Sequence, residues 1–248
     1  MITKEYNAYL DLHCHYYDLS IDFLKKELQK NNIIGLTACA GDGSYQKQEK
    51  LKNANISGLY FANGIYPDEI LIKPLPLLLE DLNKINFKES TAIGEIGLDY
   101  KITKDKILLD NQKIIFGKQL EIAEKLDKPV IVHTRYATKA TLDFLKDYSK
   151  LKVVLHWFSG TPDEINEALD RGYYLTQRYA KPKIENITER INQIFIETDY
   201  PVFKDGDPTE ITGIIDSYDS FCKEYNLEKE EVKKRIINNF YKVFNIEK

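Results

Sequence analysis

Pro129-Val130-Ile131-Val132-His133 is an unbroken apolar run, rich in β-branched residues, that starts at a proline and closes on a histidine. Such a run fits a strand of a parallel sheet covered on both faces, where polar and apolar residues no longer alternate. Seven more runs of this kind lie at residues 8–13, 33–38, 58–63, 91–96, 153–156, 172–176 and 194–199. Between them the periodicity turns helical. Ser20 opens one helix, and Thr161-Pro162-Asp163-Glu164 reads as a capping box with proline at the first helical position and Gly172 just past the end. A long helix is expected over 105–127, with Leu108, Ile115 and Leu126 on the face that packs inward. Eight strand–helix units in 248 residues predict the α/β class and a (β/α)8 TIM barrel, whereas an open doubly wound sheet more usually stops at about five or six strands. No Gly/Ser-rich or Pro-rich linker divides the chain, so one domain over 1–248 is expected.

Composition sets outer limits. With 43% hydrophobic and 30% charged residues the chain is of ordinary globular type, which excludes a disordered chain, a collagen-like repeat and a disulfide scaffold. No apolar stretch approaches the roughly 18 residues of a spanning helix, and Met1 to Tyr6 lacks the basic-then-apolar pattern of a secretory signal. A cytoplasmic protein without a membrane partner is expected. Cys14, Cys39 and Cys222 are scattered and fit reduced thiols. A net charge of −4 argues against coating nucleic acid by phosphate attraction, yet an enzyme that grips phosphate through metal ions needs few lysines and arginines.

The chain has only four histidines, and His13, His15, His133 and His156 all fall at or just beyond the C-terminal ends of strands 1, 5 and 6. In this barrel those ends converge on one rim, where loops build the active site. The two-residue period of a strand puts Asp11, His13 and His15 on one face, toward the barrel mouth, with Cys14 turned to the packing side. Strand 4 ends on Glu95, and strand 8 on Asp199 with Glu197 sharing its face. Each residue alone has a structural alternative: a hydrogen-bonded imidazole pair, a salt bridge for Glu95, a turn cap for Asp199. Jointly, nitrogen and carboxylate ligands gathered from five strand ends point to one or two divalent ions. Zn, Mn, Co or Fe suits that donor set, Mg is acceptable with waters, and an oxygen-only Ca site is disfavoured.

These residues lie in motifs that resemble the TatD-like metal-dependent deoxyribonucleases of the amidohydrolase-type barrel group, over nearly the whole chain. The motifs are Asp11-Leu12-His13-Cys14-His15, Gly94 to Tyr100, Pro129 through His133 to Arg135, His156-Trp157-Phe158-Ser159-Gly160 and Glu197-Thr198-Asp199-Tyr200-Pro201; the helix from Gln112 to Gln119 and the closing Asn239 to Phe244 fit as well. The resemblance implies that His13, His15, Glu95, His133, His156 and Asp199 ligate the metal, with Glu95 as bridge. It implies phosphodiester hydrolysis of DNA, and for some members RNA; a metal-activated hydroxide as nucleophile, Asp199 as proton acceptor and a single-stranded substrate are the expectations built on it. Arg135 is a candidate phosphate contact or else a surface ion pair, and Tyr66, Ser159 and Gly160 complete the expected substrate contacts. The helix start at Thr161 offers N–H groups to an anion. Trp157, Tyr66 and Tyr100 are candidates to stack on bases, with packing as the alternative.

Three positions depart from the family pattern. Tyr66 and Asp68 stand where the family often has histidines, and Tyr136 where Asp commonly follows the arginine after strand 5. The first two remove cations from the phosphate-facing rim. That keeps open hydrolysis of a small ester, lactone or amide by the same centre. The resemblance also extends to partner-dependent components of bacterial defence systems, in which protein partners would be needed.

Overall fold

The apolar runs become eight parallel strands, β1 Tyr9–Cys14, β2 Ile33–Ala38, β3 Leu59–Asn63, β4 Ala92–Asp99, β5 Val130–Arg135, β6 Val153–Leu155, β7 Tyr174–Gln177 and β8 Ile194–Ile196, hydrogen-bonded in sequence order. The computed structural model describes residues 7–200, 203–204, 207–208 and 211–247. Pro201 of the last motif and the stretch from Met1 to Tyr6 lie outside them. The chain after β8 closes the barrel against β1: Asp199 N–H donates to the His13 carbonyl at 2.9 Å, and His15 N–H to the Tyr200 carbonyl at 2.6 Å. The α/β barrel is therefore as expected, and the strand interiors are buried on both faces.

Helices α1 Ile21–Asn31, α2 Ser44–Asn53, α3 Leu75–Leu82, α4 Lys106–Leu126, α5 Thr138–Leu145, α6 Pro162–Asp170 and the short α7 Ile187–Arg190 alternate with the strands, and α8 Gly213–Tyr225 and α9 Lys229–Val243 cover β1 and β8. Phe203–Lys204 and Asp207–Pro208 form a small antiparallel pair, β9 and β10. Ser20 caps α1 through the Phe23 N–H, and the capping box at Thr161 and Glu164 is complete. That box corrects one expectation. Thr161 N–H donates to Glu164, Glu164 N–H donates to Thr161, and Pro162 has no N–H, so this helix start offers an anion almost nothing.

Two strand ends differ from the pattern reading by three residues. β8 stops at Ile196, because the Thr198 N–H is taken by the Asp11 carboxylate at 2.9 Å and Asp199 turns into a left-handed conformation with φ of 53°. β4 runs on to Asp99, paired with β5 so that Gly97 faces His133 and Asp99 faces Arg135. Two buried glutamines of α4 fix this end of the barrel. Gln112 accepts from the Asp99 N–H and donates to the Asp99 carbonyl, while Gln119 does the same for Ile65 in the loop after β3. Each amide satisfies both backbone groups of its residue, which for Asp99 are the groups the pairing with β5 leaves over.

Among the described residues no helix is long and apolar enough to cross a membrane. Leu108 and Leu126 pack against the core and Ile115 lies within it, as the long-helix reading requires. Cys14, Cys39 and Cys222 are free thiols, and the Cys14 sulfur lies 3.4 Å from the Leu36 carbonyl, on the packing side.

Candidate metal centre

Strand geometry brings all six predicted ligands to one place. Glu95, which is 2% exposed, sits between two groups of imidazoles and turns a different oxygen to each. Its Oε1 lies 2.7 Å from His133 Nδ1 and 2.7 Å from His156 Nε2. Its Oε2 lies 3.3 Å from His13 Nε2 and 3.7 Å from His15 Nε2. On that second side Asp199 Oδ1 adds a contact of 3.0 Å to His15 and 3.5 Å to His13. The result is two three-residue groupings with donor atoms within 4.8 Å of one another: His13, His15 and Asp199 on one flank, and Glu95, His133 and His156 on the other.

Burial sharpens the case. Among the described residues, both ring nitrogens of His13, Nδ1 of His156 and Oε2 of Glu197 are buried with no partner in hydrogen-bond geometry. Orphaned polar atoms of this kind cost free energy unless a ligand completes them, and imidazoles and carboxylates are the donors that a divalent ion takes. The residues present therefore fit the metal. Supporting contacts aim the rings. His15 Nδ1 lies 2.9 Å from the Ala38 carbonyl, which can only accept, so its Nε2 lone pair is left for the centre. Asp99 Oδ2 lies 3.3 Å from His133 Nε2 and 2.9 Å from Arg135 Nε, linking a candidate ligand ring to a cation on the cavity wall.

Charges in the metal-free chain answer to the same crowding. Burial and the neighbouring His156 oppose protonation of His13, but the Glu95 and Asp199 carboxylates outweigh them and lift it to about 9. Burial opposes ionisation of Glu95 and of Asp199, yet the surrounding histidines hold both well below the usual carboxylate range. Protons held on His13, His133 and His156, all raised by the carboxylates around them, thus occupy the role of a cation, and ligation must expel them. Below about pH 9 metal binding should release protons, and affinity should climb as the pH rises toward that value. Calorimetric titration at pH 7 in two buffers of different ionisation enthalpy should give about one proton or more released per ion; identical heats in both buffers would contradict this account.

Sequence reasoning missed three contributions. Asp11 shares the face of His13 and His15 by period, but β1 is irregular between Asp11 and Cys14, and its carboxylate is spent on structure. It accepts from Thr198 N–H at 2.9 Å, Thr198 Oγ1 at 2.6 Å and Tyr16 OH at 2.9 Å, which sets where the neighbouring Asp199 begins its turn. Burial pushes Asp11 up to about 7, with the Thr198 and Tyr16 bonds pulling the other way. Glu197, fully buried, lies 3.6 Å from His156 Nδ1 and could form a further grouping with His13 and His156. The role of Asp99 behind His133 was the third; its only sequence signal was an acid four residues after Glu95.

The centre forms the floor of a cleft of about 490 Å³, with Tyr66, Asp68, Arg135, Trp157 and Ser159 in its walls. The Tyr66 hydroxyl reaches to 3.4 Å from His133. Gly160 and Tyr100 are not among the lining residues. Gly160 instead lets the Phe158 ring approach, since a Cβ there would lie 2.7 Å from it. Asp68 Oδ1, in the same wall, is buried with no hydrogen-bond partner among the described residues.

A family model described as TatD related DNase matches residues 10–245. The chain belongs to this family. An uncharacterized metal-dependent hydrolase of Buchnera aphidicola is 28% identical over 267 residues, covering 96% of this chain and 99% of that one. Human deoxyribonuclease TATDN3 is 28% identical over 184 residues, 67% of this chain and 66% of its own. Among solved structures, YJJV, a TatD homologue from Escherichia coli, superposes with a TM-score of 0.78 over 100% of both chains at 22% identity, a likeness that shows the fold. With this membership and the donor set above, the chain is a metal-dependent hydrolase of the TatD type.

Proposed function

We propose that the chain hydrolyses phosphodiester bonds of single-stranded nucleic acid, DNA foremost and RNA second, in the cytoplasm. The observation that carries this reading is Glu95 shared between two ligand groupings at the floor of an open cleft with an arginine in its wall. Divalent ions, when bound, supply Lewis acidity that makes water nucleophilic near neutral pH and offsets charge on phosphoryl oxygens. The rest falls to the protein. Glu95 is too deeply buried to exchange protons with solvent, whereas the Asp199 side chain is 18% exposed. Asp199 therefore accepts the proton of the attacking water at its carboxylate and passes it out through the cleft. Arg135 keeps Nε on Asp99, leaving its outer N–H groups for a phosphate oxygen. The Ser159 and Tyr66 hydroxyls, on the same walls, donate to the remaining oxygens. Free thiols at all three cysteines support the cytoplasmic setting.

Assay of single-stranded DNA, RNA and a small ester side by side, with Mn2+ or Mg2+ and with chelator, tests this reading. Metal-dependent cleavage of the strands is expected, and turnover confined to the ester would overturn it. Asp68 gives a second check. Its carboxylate faces the same cleft as the phosphate, and burial and Glu95 already raise its pKa. Asp68→Asn should lower KM for a strand about 3- to 10-fold, the effect of removing one nearby like charge, with kcat little changed. An unchanged or higher KM would place the phosphate elsewhere.

A further inference from the structure

We infer that Trp157, Arg178 and Tyr179 form a stacking subsite for the nucleobase next to the scissile phosphate. The inference rests on the phosphodiesterase reading above. Trp157 directly follows the ligand His156, lines the cleft and is 44% exposed, while its neighbour Phe158 is fully buried and takes the packing position. The Arg178 guanidinium lies over the Trp157 ring, 5.4 Å from its centroid, and 5.2 Å from that of Tyr179, whose side chain is 43% exposed. Three flat groups from two loops thus adjoin one another, with Trp157 the member that lines the cleft.

This arrangement is held in place. Trp157 has φ of 39°, a region that bulky residues rarely occupy. Its N–H is shared between Thr176 Oγ1 at 2.8 Å and Glu197 Oε1 at 2.9 Å, both on fully buried residues. The backbone is thereby fixed with the indole turned outward, where core packing has no use for it. Among the described residues Arg178 has no carboxylate partner, so its charge stays available to stacked rings and to phosphate. Every base has a π-face, so such a platform binds single strands with little sequence preference.

Trp157 is the only tryptophan in the sequence, so its emission reports the subsite directly. Mg2+-loaded protein is mixed in stopped flow with end-labelled oligothymidylate, or with an abasic strand of equal length, and emission and label polarisation are read before turnover. Oligothymidylate should quench the emission and the abasic strand should not. The abasic strand should also bind about 5- to 100-fold more weakly, as loss of base stacking predicts. Trp157→Ala should bring the two affinities within about twofold, and Trp157→Phe should restore the preference. A base-bearing strand that binds or is cut with unchanged emission, or equal binding of both strands, overturns the subsite and leaves the phosphodiesterase reading standing. Neither binding nor cleavage of any strand overturns both. The wild-type emission result decides the matter even if Trp157→Ala fails to fold.

Discussion

Glu95→Ala should abolish hydrolysis, lowering kcat by at least about 10³-fold, and should take metal stoichiometry down with it. Glu95 is the one residue whose two oxygens face both imidazole groups, so its loss dissolves the link between the flanks instead of trimming one ligand. The fold should survive. Without the carboxylate the imidazoles can lose their protons, which leaves unpaired neutral rings at a cost of about 1–3 kcal/mol instead of an isolated buried charge. Elemental analysis, circular dichroism and single-turnover cleavage on the same preparation separate these effects. A variant that keeps its ions and a tenth of its rate would show that Glu95 is not the hub.

Gly97→Ala should be the most damaging substitution of a single methyl group. Gly97 has φ of 144°, where residues with a side chain are strained, and a Cβ there would sit 2.0 Å from the backbone oxygen of His133. The clash is with backbone across the β4–β5 ladder, so no side-chain rotation relieves it. Separation of the strands at this register should cost about 3–5 kcal/mol and lower Tm by about 10 °C. It also shifts His133, so activity should fall even at temperatures where the variant is folded. Thermal denaturation followed by circular dichroism tests this; a Tm within 2–3 °C of wild type, roughly the shift expected of a 1 kcal/mol change, would mean that the ladder is more pliant than its geometry implies.

The barrel and the cluster of candidate ligands at its mouth were readable in the sequence for a shared physical reason. Parallel strands covered on both faces leave continuous apolar runs, and a polar residue at the end of such a run is conspicuous. His133, Glu95 and His156 stand out in this way. What was hidden depends on long-range pairing. Period-two alternation puts Asp11 beside His13 and His15, but only the approach of Thr198 and Tyr16 shows that it buttresses the site instead of ligating. For Arg135 the sequence left a phosphate contact and a surface ion pair open; the structure pairs its Nε with the buried Asp99 and sets the side chain in the cleft wall, an arrangement that depends on where β4 ends. The anion site expected at Thr161 fails because the capping residues that mark the helix start also consume its donors. Left-handed backbone at Trp157 and Asp199 has no glycine to announce it. It follows from hydrogen bonds to residues 19 or more positions away.

Anomalous scattering at the Mn absorption edge, from crystals of Mn2+-loaded protein, tests the central claim most directly. Two peaks are predicted, one on the His13, His15 and Asp199 side of Glu95 and one on the His133 and His156 side. Peaks remote from Glu95, or no peak within reach of these side chains in fully loaded crystals, would contradict it.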